Sequence, residues 1–161
     1  MRPVRRPHVS VIGPGTCTEE ERSIAESVGR LLAERGAVLV CGGGGGVMEA
    51  ACRGAMMAGG LTVGVLPSAE PGAGNAYLTV ALPTGLGEAR NALVAQAGSA
   101  VIAVGCGYGT LSEIGLALKA QRKVIGLRTW QLRTADGESA ELVAKGTPEE
   151  AVEYALSGAT E

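Results

Sequence analysis

Gly105-Cys-Gly-Tyr-Gly-Thr-Leu-Ser-Glu113 is a glycine-rich turn set between two patterns of different period. Before it, Ala100 to Val104 is a continuous apolar run, which reads as a buried strand. After it, Leu111 to Ala120 repeats at helical spacing. A strand that turns through glycines directly into a helix lets a ligand approach the main chain closely. The unpaired N–H groups and partial positive charge at the helix start then favour a phosphate there. Gly107, Tyr108, Gly109 and Thr110 are the candidate residues of that turn.

The pattern repeats outward from it. Val9 to Ile12 is a short strand ending in Gly13-Pro-Gly15. Thr18 opens a helix, with Glu21 completing a capping box and Ile24, Val28, Leu31 and Leu32 on the apolar face. Gly36 stops it, and Ala37 to Val40 is the next strand. Five glycines follow, Gly42 to Gly46. A helix then runs from Val47 to about Ala58, its small residues Ala50, Ala51, Gly54, Ala55 and Ala58 suited to lying close against a sheet. Leu61 to Leu66 and Tyr77 to Leu82 read as strands on either side of a Pro/Gly/Asn loop. A helix is predicted from Leu86 to Ala97 with Leu86, Ala89, Leu93, Val94 and Ala97 inward. Val124 to Leu127 and an edge strand at Glu141 to Ala144 follow. The segment between them, from Arg128 to Ser139, has no period and reads as a loop or lid. Thr147-Pro-Glu-Glu150 opens the last helix.

Continuously apolar strands separated by helices predict an α/β, Rossmann-like, doubly wound and mainly parallel sheet with helices on both faces. The chain of 161 residues fits one such domain, residues 1–161, with 1–7 as a flexible tail carrying Arg2, Arg5 and Arg6. Right-handed crossovers gather the strand-to-helix loops at one edge. Gly13, Gly15, Gly43, Gly44 and Gly45 therefore join the candidate ligand-binding set. The absence of phenylalanine, with one tryptophan and three tyrosines, also favours thin α/β layers over an aromatic-filled sandwich.

Composition narrows the function. A net charge of −2 without a basic stripe argues against nucleic acid as a partner. No apolar run reaches membrane-spanning length, and no C-x-x-C is present among the four cysteines, so the expected setting is cytoplasmic with reduced thiols. Cys17, Cys41 and Cys106 each flank one glycine loop. Three separate small residues is the default reading, and a thiol cluster able to take a soft metal is the alternative. No metal site is otherwise expected. The dinucleotide fingerprint fails at every loop, since its third glycine position is Thr18, Val47 or Thr110, and no Lys-Ser/Thr pair follows a glycine loop. A nicotinamide dehydrogenase and a P-loop ATPase are thereby disfavoured, leaving a mononucleotide or a phosphorylated sugar.

The turn resembles the P-G-G-x-G-T-x-x-E signature of the LONELY GUY (LOG) superfamily, long described as lysine decarboxylase-like. Cys41-Gly-Gly-Gly-Gly-Gly-Val-Met-Glu49 is similar to its G-G-G loop, and Arg90 stands where it has an Arg-Lys pair. Gly87-Glu-Ala-Arg-Asn91 and the stretch from Val104 to Leu118 look closer to a sister group that includes molybdenum-cofactor carriers and uncharacterised bacterial relatives. The LOG resemblance implies hydrolysis of the N-glycosidic bond of a nucleoside 5′-monophosphate, with Glu113 as catalytic carboxylate, Arg90 as its partner, and Gly107, Gly109 and Thr110 on the phosphate. The sister group implies a non-catalytic carrier or sensor for a phosphorylated cofactor such as molybdenum cofactor. Either way the expected ligand is a nucleotide or a phosphorylated cofactor, no other cofactor is required, and a homodimer or higher homo-oligomer is implied. The signature's leading Pro-Gly is Gly105-Cys106 here, and the Lys after Arg90 is Asn91. From spacing alone, Glu113 has a second reading, because Thr110-Leu-Ser-Glu113 is also a capping-box pattern. Arg90 has two candidate partners, an internal carboxylate such as Glu113 or the ligand. Tyr108 either stacks on a base or shields the turn. Trp130 reads as a packing residue, and His8 as a surface residue.

Overall fold

Ser10 shows how the layers are arranged. It sits on the first strand, fully buried, where its hydroxyl donates to the Val94 carbonyl (2.6 Å) and accepts from Gly98 N–H (3.0 Å). Its neighbours Val9 and Val11 point to the opposite face, into a different core. In the computed structural model, which describes residues 5–158, this two-residue alternation runs through every central strand.

The strands are β1 (His8–Ile12), β2 (Val38–Cys41), β3 (Leu61–Leu66), β4 (Val80–Pro83), β5 (Ala100–Val104), β6 (Lys123–Leu127) and β7 (Leu142–Ala144). They form one sheet in the order β4-β3-β2-β1-β5-β6-β7, and every pair is parallel. The helices are α1 (Glu19–Glu34), α2 (Val47–Met57), α3 (Asn91–Ala97), α4 (Tyr108–Lys119) and α5 (Pro148–Leu156). One core joins α1, α2 and α5 to Val9, Val11, Leu39, Ile102 and Val104. The other joins α3 and α4 to Ile12, Val40, Val101, Ala103 and Val124. The doubly wound α/β expectation therefore holds. The chain order reverses between β1 and β5, so the loops after these two strands flank the crevice where such sheets bind ligands.

Several local expectations are corrected. The small residues of α2 do bury Ala50, Ala51 and Ala55, but Gly54 faces α1 rather than the sheet. A Cβ there would run into the Glu26 carbonyl, and one at Gly29 into that of Ala51, so the two helices touch backbone to backbone. The helix predicted from Leu86 is split. Gly85 and Gly87 have φ of +65° and +57°, a 3-10 helix spans Gly87–Arg90, and only Asn91–Ala97 is α-helical. The break shifts the inward face, and Leu86 and Leu93 lie exposed while Val94 and Ala95 are buried. The strand predicted from Tyr77 begins only at Val80; ahead of it Thr79 N–H is shared between the Thr62 carbonyl (3.0 Å) and the Thr62 hydroxyl (2.8 Å). Residues 1–4 of the expected tail lie outside the described residues. Pro7 does not belong to a tail, since its carbonyl accepts from Val38 N–H (2.8 Å). The aperiodic segment after β6 holds a small hairpin, bridged at Arg133 and Ser139. No helix is long and apolar enough to cross a membrane among the described residues.

Candidate functional site

The helix behind the opening turn starts earlier than its hydrophobic period suggests. Gly107 is extended (φ −171°, ψ 157°) and Tyr108 is already the first helical residue. The first intrahelical bond is Leu111 N–H to the Gly107 carbonyl (2.9 Å), so the amides of Tyr108, Gly109 and Thr110 have no acceptor within the helix. No side chain caps this end, and its first turn carries no acidic residue. By contrast, α1 and α5 begin with Glu19–Glu21 and with Glu149 and Glu150. The partial positive charge at the start of α4 is left uncompensated from within the helix.

This start also removes the third capping box. Thr18 and Glu21 make both of its bonds, and Thr147 makes the first with Glu150. Thr110 and Glu113 make neither, because both lie inside the helix rather than at its cap. They point inward instead, at 2 % and 6 % exposure.

A cleft of about 370 Å³ opens at this point, lined by Gly13, Pro14 and Gly15 after β1 and by Gly107, Gly109, Thr110 and Glu113 from α4. Glu88, Arg90 and Asn91 close it from the 3-10 turn, with Met48 and Pro67 completing the wall. The Arg90 guanidinium lies against the end of β2, where a Cβ at Gly42 would fall 2.7 Å from Nη1. Its Nη1 donates to Asn91 Oδ1 (2.6 Å) and stands 3.6 Å from Glu113 Oε1. Asn91 is fixed in turn by donating to Ser112 Oγ (3.1 Å), which donates to the Gly109 carbonyl (2.7 Å). The internal-partner reading of Arg90 thus has a contact, though a loose one. Burial pushes the Glu113 carboxyl up to about 7 despite the opposing pull of Arg90.

Two buried side-chain atoms have no hydrogen-bond partner among the described residues, Arg90 Nε and Thr110 Oγ1. Both belong to residues of this one cleft. A buried polar atom without a partner costs about 1–3 kcal/mol, so this one cleft holds two unmet hydrogen-bonding groups.

Not every predicted site residue comes to the cleft. Gly43, Gly44 and Gly45 stand outside its lining: Gly43 is packed on Leu66, Gly44 on Met48, and Gly45 approaches the Gly15 carbonyl. Tyr108 also turns away and stays 84 % exposed, its ring 6.0 Å from that of Trp130. Trp130 donates through Nε1 to the Gly107 carbonyl (3.1 Å), bracing the turn from its outer side. The thiol pairing differs from the proposed cluster as well. Cys41 Sγ lies 3.5 Å from Cys52, which α2 carries back under the end of β2, and neither Cys17 nor Cys106 contacts another thiol. Among the described residues no three His, Cys, Asp or Glu side chains gather to hold a metal. Glu88, Asn91, Met48, Pro14 and Pro67 are cleft residues that sequence spacing did not select; the Gly85 and Gly87 pair, which sets the 3-10 turn, was the available signal for the first two.

Fold and cleft together define a Rossmann-like α/β domain with a crevice at its topological switch point. The chain belongs to the SLOG cluster4 family, whose profile matches residues 6–152. It is 42% identical over 154 residues to an uncharacterised protein of Archaeoglobus fulgidus, covering 92% of this chain and 94% of that one. Among solved structures, a molybdenum cofactor binding protein from Rippkaea orientalis is 36% identical with a TM-score of 0.87, covering 98% of this chain and 99% of its own. The molybdenum cofactor carrier protein of Chlamydomonas reinhardtii is 32% identical with a TM-score of 0.80, covering 93% and 96%.

Proposed function

We propose that this protein binds and carries a phosphorylated pterin-type cofactor of the molybdenum cofactor class, holding its phosphate in the cleft at the start of α4. The observation that carries the reading is the pair of orphaned atoms, Thr110 Oγ1 and Arg90 Nε, in the cleft beside uncapped helix amides. Thr110, Arg90 and the amides of Tyr108 to Thr110 are the groups that would hold the phosphate. The likeness to two molybdenum-cofactor proteins over nearly the full chain supports this cargo. As a carrier the protein makes and breaks no bond in the cargo. The proposed setting is cytoplasmic and the proposed assembly a homo-oligomer, with Val80, Leu82, Leu86 and Leu93 among the exposed apolar side chains.

Nucleoside 5′-monophosphate hydrolysis is the second reading, and Glu113 favours it. A buried carboxyl near 7, beside an arginine, is suited to acid–base work on a leaving base.

One pair of assays decides between them. Molybdenum cofactor released from a molybdoenzyme is mixed with the protein, passed through a sizing column and offered to an apo-molybdoenzyme. Retention and transfer are expected, and Arg90→Ala is expected to lower retention by about tenfold or more, the loss of a charge-assisted bond. Adenosine monophosphate is tested in parallel for release of ribose 5-phosphate. Turnover abolished by Glu113→Gln, with no cofactor retained, would replace the carrier reading by the hydrolase.

A further inference from the structure

We infer that Glu113 is the proton-bearing partner of the bound phosphate, so that capture of the anion takes up a proton and a rise in pH releases it. The inference rests on the cleft being a phosphate site, as proposed above, and adds how that site is regulated.

The argument is one of charge supply. Glu113 is 6 % exposed and shares the cleft with Thr110, Gly107 and Gly109, the residues nearest the uncapped helix start. Among the described residues its one cationic neighbour is Arg90, whose Nη1 is divided between Glu113 Oε1 at 3.6 Å and Asn91 Oδ1 at 2.6 Å. A phosphate entering the cleft competes for the same guanidinium. If Arg90 turns to the ligand, an ionised Glu113 is left as a second buried anion beside the first, with no cation of its own. Two close like charges in a low-dielectric site do not both ionise, and one takes a proton. A protonated Glu113 is then no longer repulsive, because its O–H donates to a phosphate oxygen. Burial already holds the carboxyl well above its ordinary range before any ligand arrives.

Among the described residues, the other charged or titratable groups around Glu113 come from the 3-10 turn, β2 and α1. Glu88 and Arg90 come from the 3-10 turn. From β2 comes the Cys41 thiol, which the Cys52 bond holds below its ordinary range against burial, with Gly43 N–H and Arg90 favouring its ionisation and Glu113 opposing it. From α1, Glu21 lies beside Gly105 with its carboxylate accepting from Thr18 N–H (2.9 Å). His8, the one histidine, opens β1 at the opposite end of the sheet.

The sign follows from the raised carboxyl. Well below pH 7 the free protein already carries the proton, and affinity is at its plateau. Above about 7 the free protein must gain the proton on binding, and affinity falls by about tenfold per pH unit while one proton is taken up. Trp130, the only tryptophan, bonds to Gly107 and reports on the turn by fluorescence.

The test titrates the full chain with sulfate, whose charge is constant over pH 5.5 to 8.5, and with ribose 5-phosphate, whose own second ionisation lies near 6. Calorimetry in buffers of different ionisation heat counts the proton. Sulfate affinity is expected to fall by about tenfold per pH unit above 7, with close to one proton taken up at pH 8. Glu113→Gln is expected to bind sulfate at pH 8 as tightly as the parent does at pH 5.5, with no proton uptake. His8→Gln is expected to keep the parent's slope. Sulfate binding that is flat with pH in the parent, or that keeps its slope in Glu113→Gln, overturns the proton linkage and leaves the anion site standing. No binding of sulfate, inorganic phosphate or ribose 5-phosphate at any pH overturns the anion site, and the linkage with it.

Discussion

The protein carries two glycine-rich turns of similar appearance, and they do opposite things. In the pentaglycine after β2, each glycine is backed by protein. Gly42 makes room for Arg90, Gly43 for Leu66, and Gly46 for the Pro14 and Gly15 carbonyls. In the turn before α4, Gly105 is backed by Glu21 at 2.8 Å, but Gly109 has nothing within 4 Å of where its Cβ would be, and Gly107 is bordered only at 3.4 Å and beyond. The first run is a packing device that lets one loop lie against another. The second is open on the side where the cleft lies. Glycine density alone therefore does not distinguish a packed turn from an open one.

The sharpest way to break this comparison is Gly46→Ala. Gly46 has φ +59° and ψ −124°, and a Cβ there would sit 2.7 Å from the Gly15 carbonyl oxygen. Strain and overlap together should cost about 3 kcal/mol or more, read as a lower urea midpoint. A midpoint unchanged by this substitution would return the pentaglycine to the ligand. Thr110→Val has a smaller and two-sided effect. Removing an orphaned buried hydroxyl should raise stability by about 1 kcal/mol while weakening phosphate binding by about tenfold. A loss of stability without loss of binding would mean that Thr110 serves the fold alone. Gly109→Ala should be the mildest, gaining about 0.5–1 kcal/mol at most, because alanine suits the helix and meets open space. A large loss there would erase the distinction between the two turns.

Much of the fold was legible because burial on both faces writes itself as continuous apolar runs. Val9–Ile12, Ala100–Val104 and Val124–Leu127 are each read correctly to within a residue of their strands. The site was legible in part. Arg90, Glu113, Thr110, Gly13, Gly15, Gly107 and Gly109 do share one cleft. What failed has a common cause: sequence spacing describes a regular element and is silent about where its geometry changes. The T-x-x-E pattern at Thr110 is the same as at Thr18, yet helix α4 begins before it, and the two side chains turn inward instead of capping. The 3-10 turn at Gly87–Arg90 likewise exposes Leu86 and Leu93, brings Glu88 and Asn91 into the cleft, and is not visible in a helical period. Cys52 escaped notice beside Cys41 because pairing across a strand and its following helix depends on the helix's rotation.

The Ser10 hydroxyl, bonded to Val94 and to Gly98 across sequence separations of 84 and 88 residues, has a kinetic consequence. These bonds tie β1 to α3 and to the approach of β5, beside the β1–β5 seam, the most distant strand pairing in the sheet, and closing so long a loop is entropically slow. The cleft draws one wall from each side of that seam, so it exists only after the two halves of the chain have met. A half-folded chain therefore has no cleft at all.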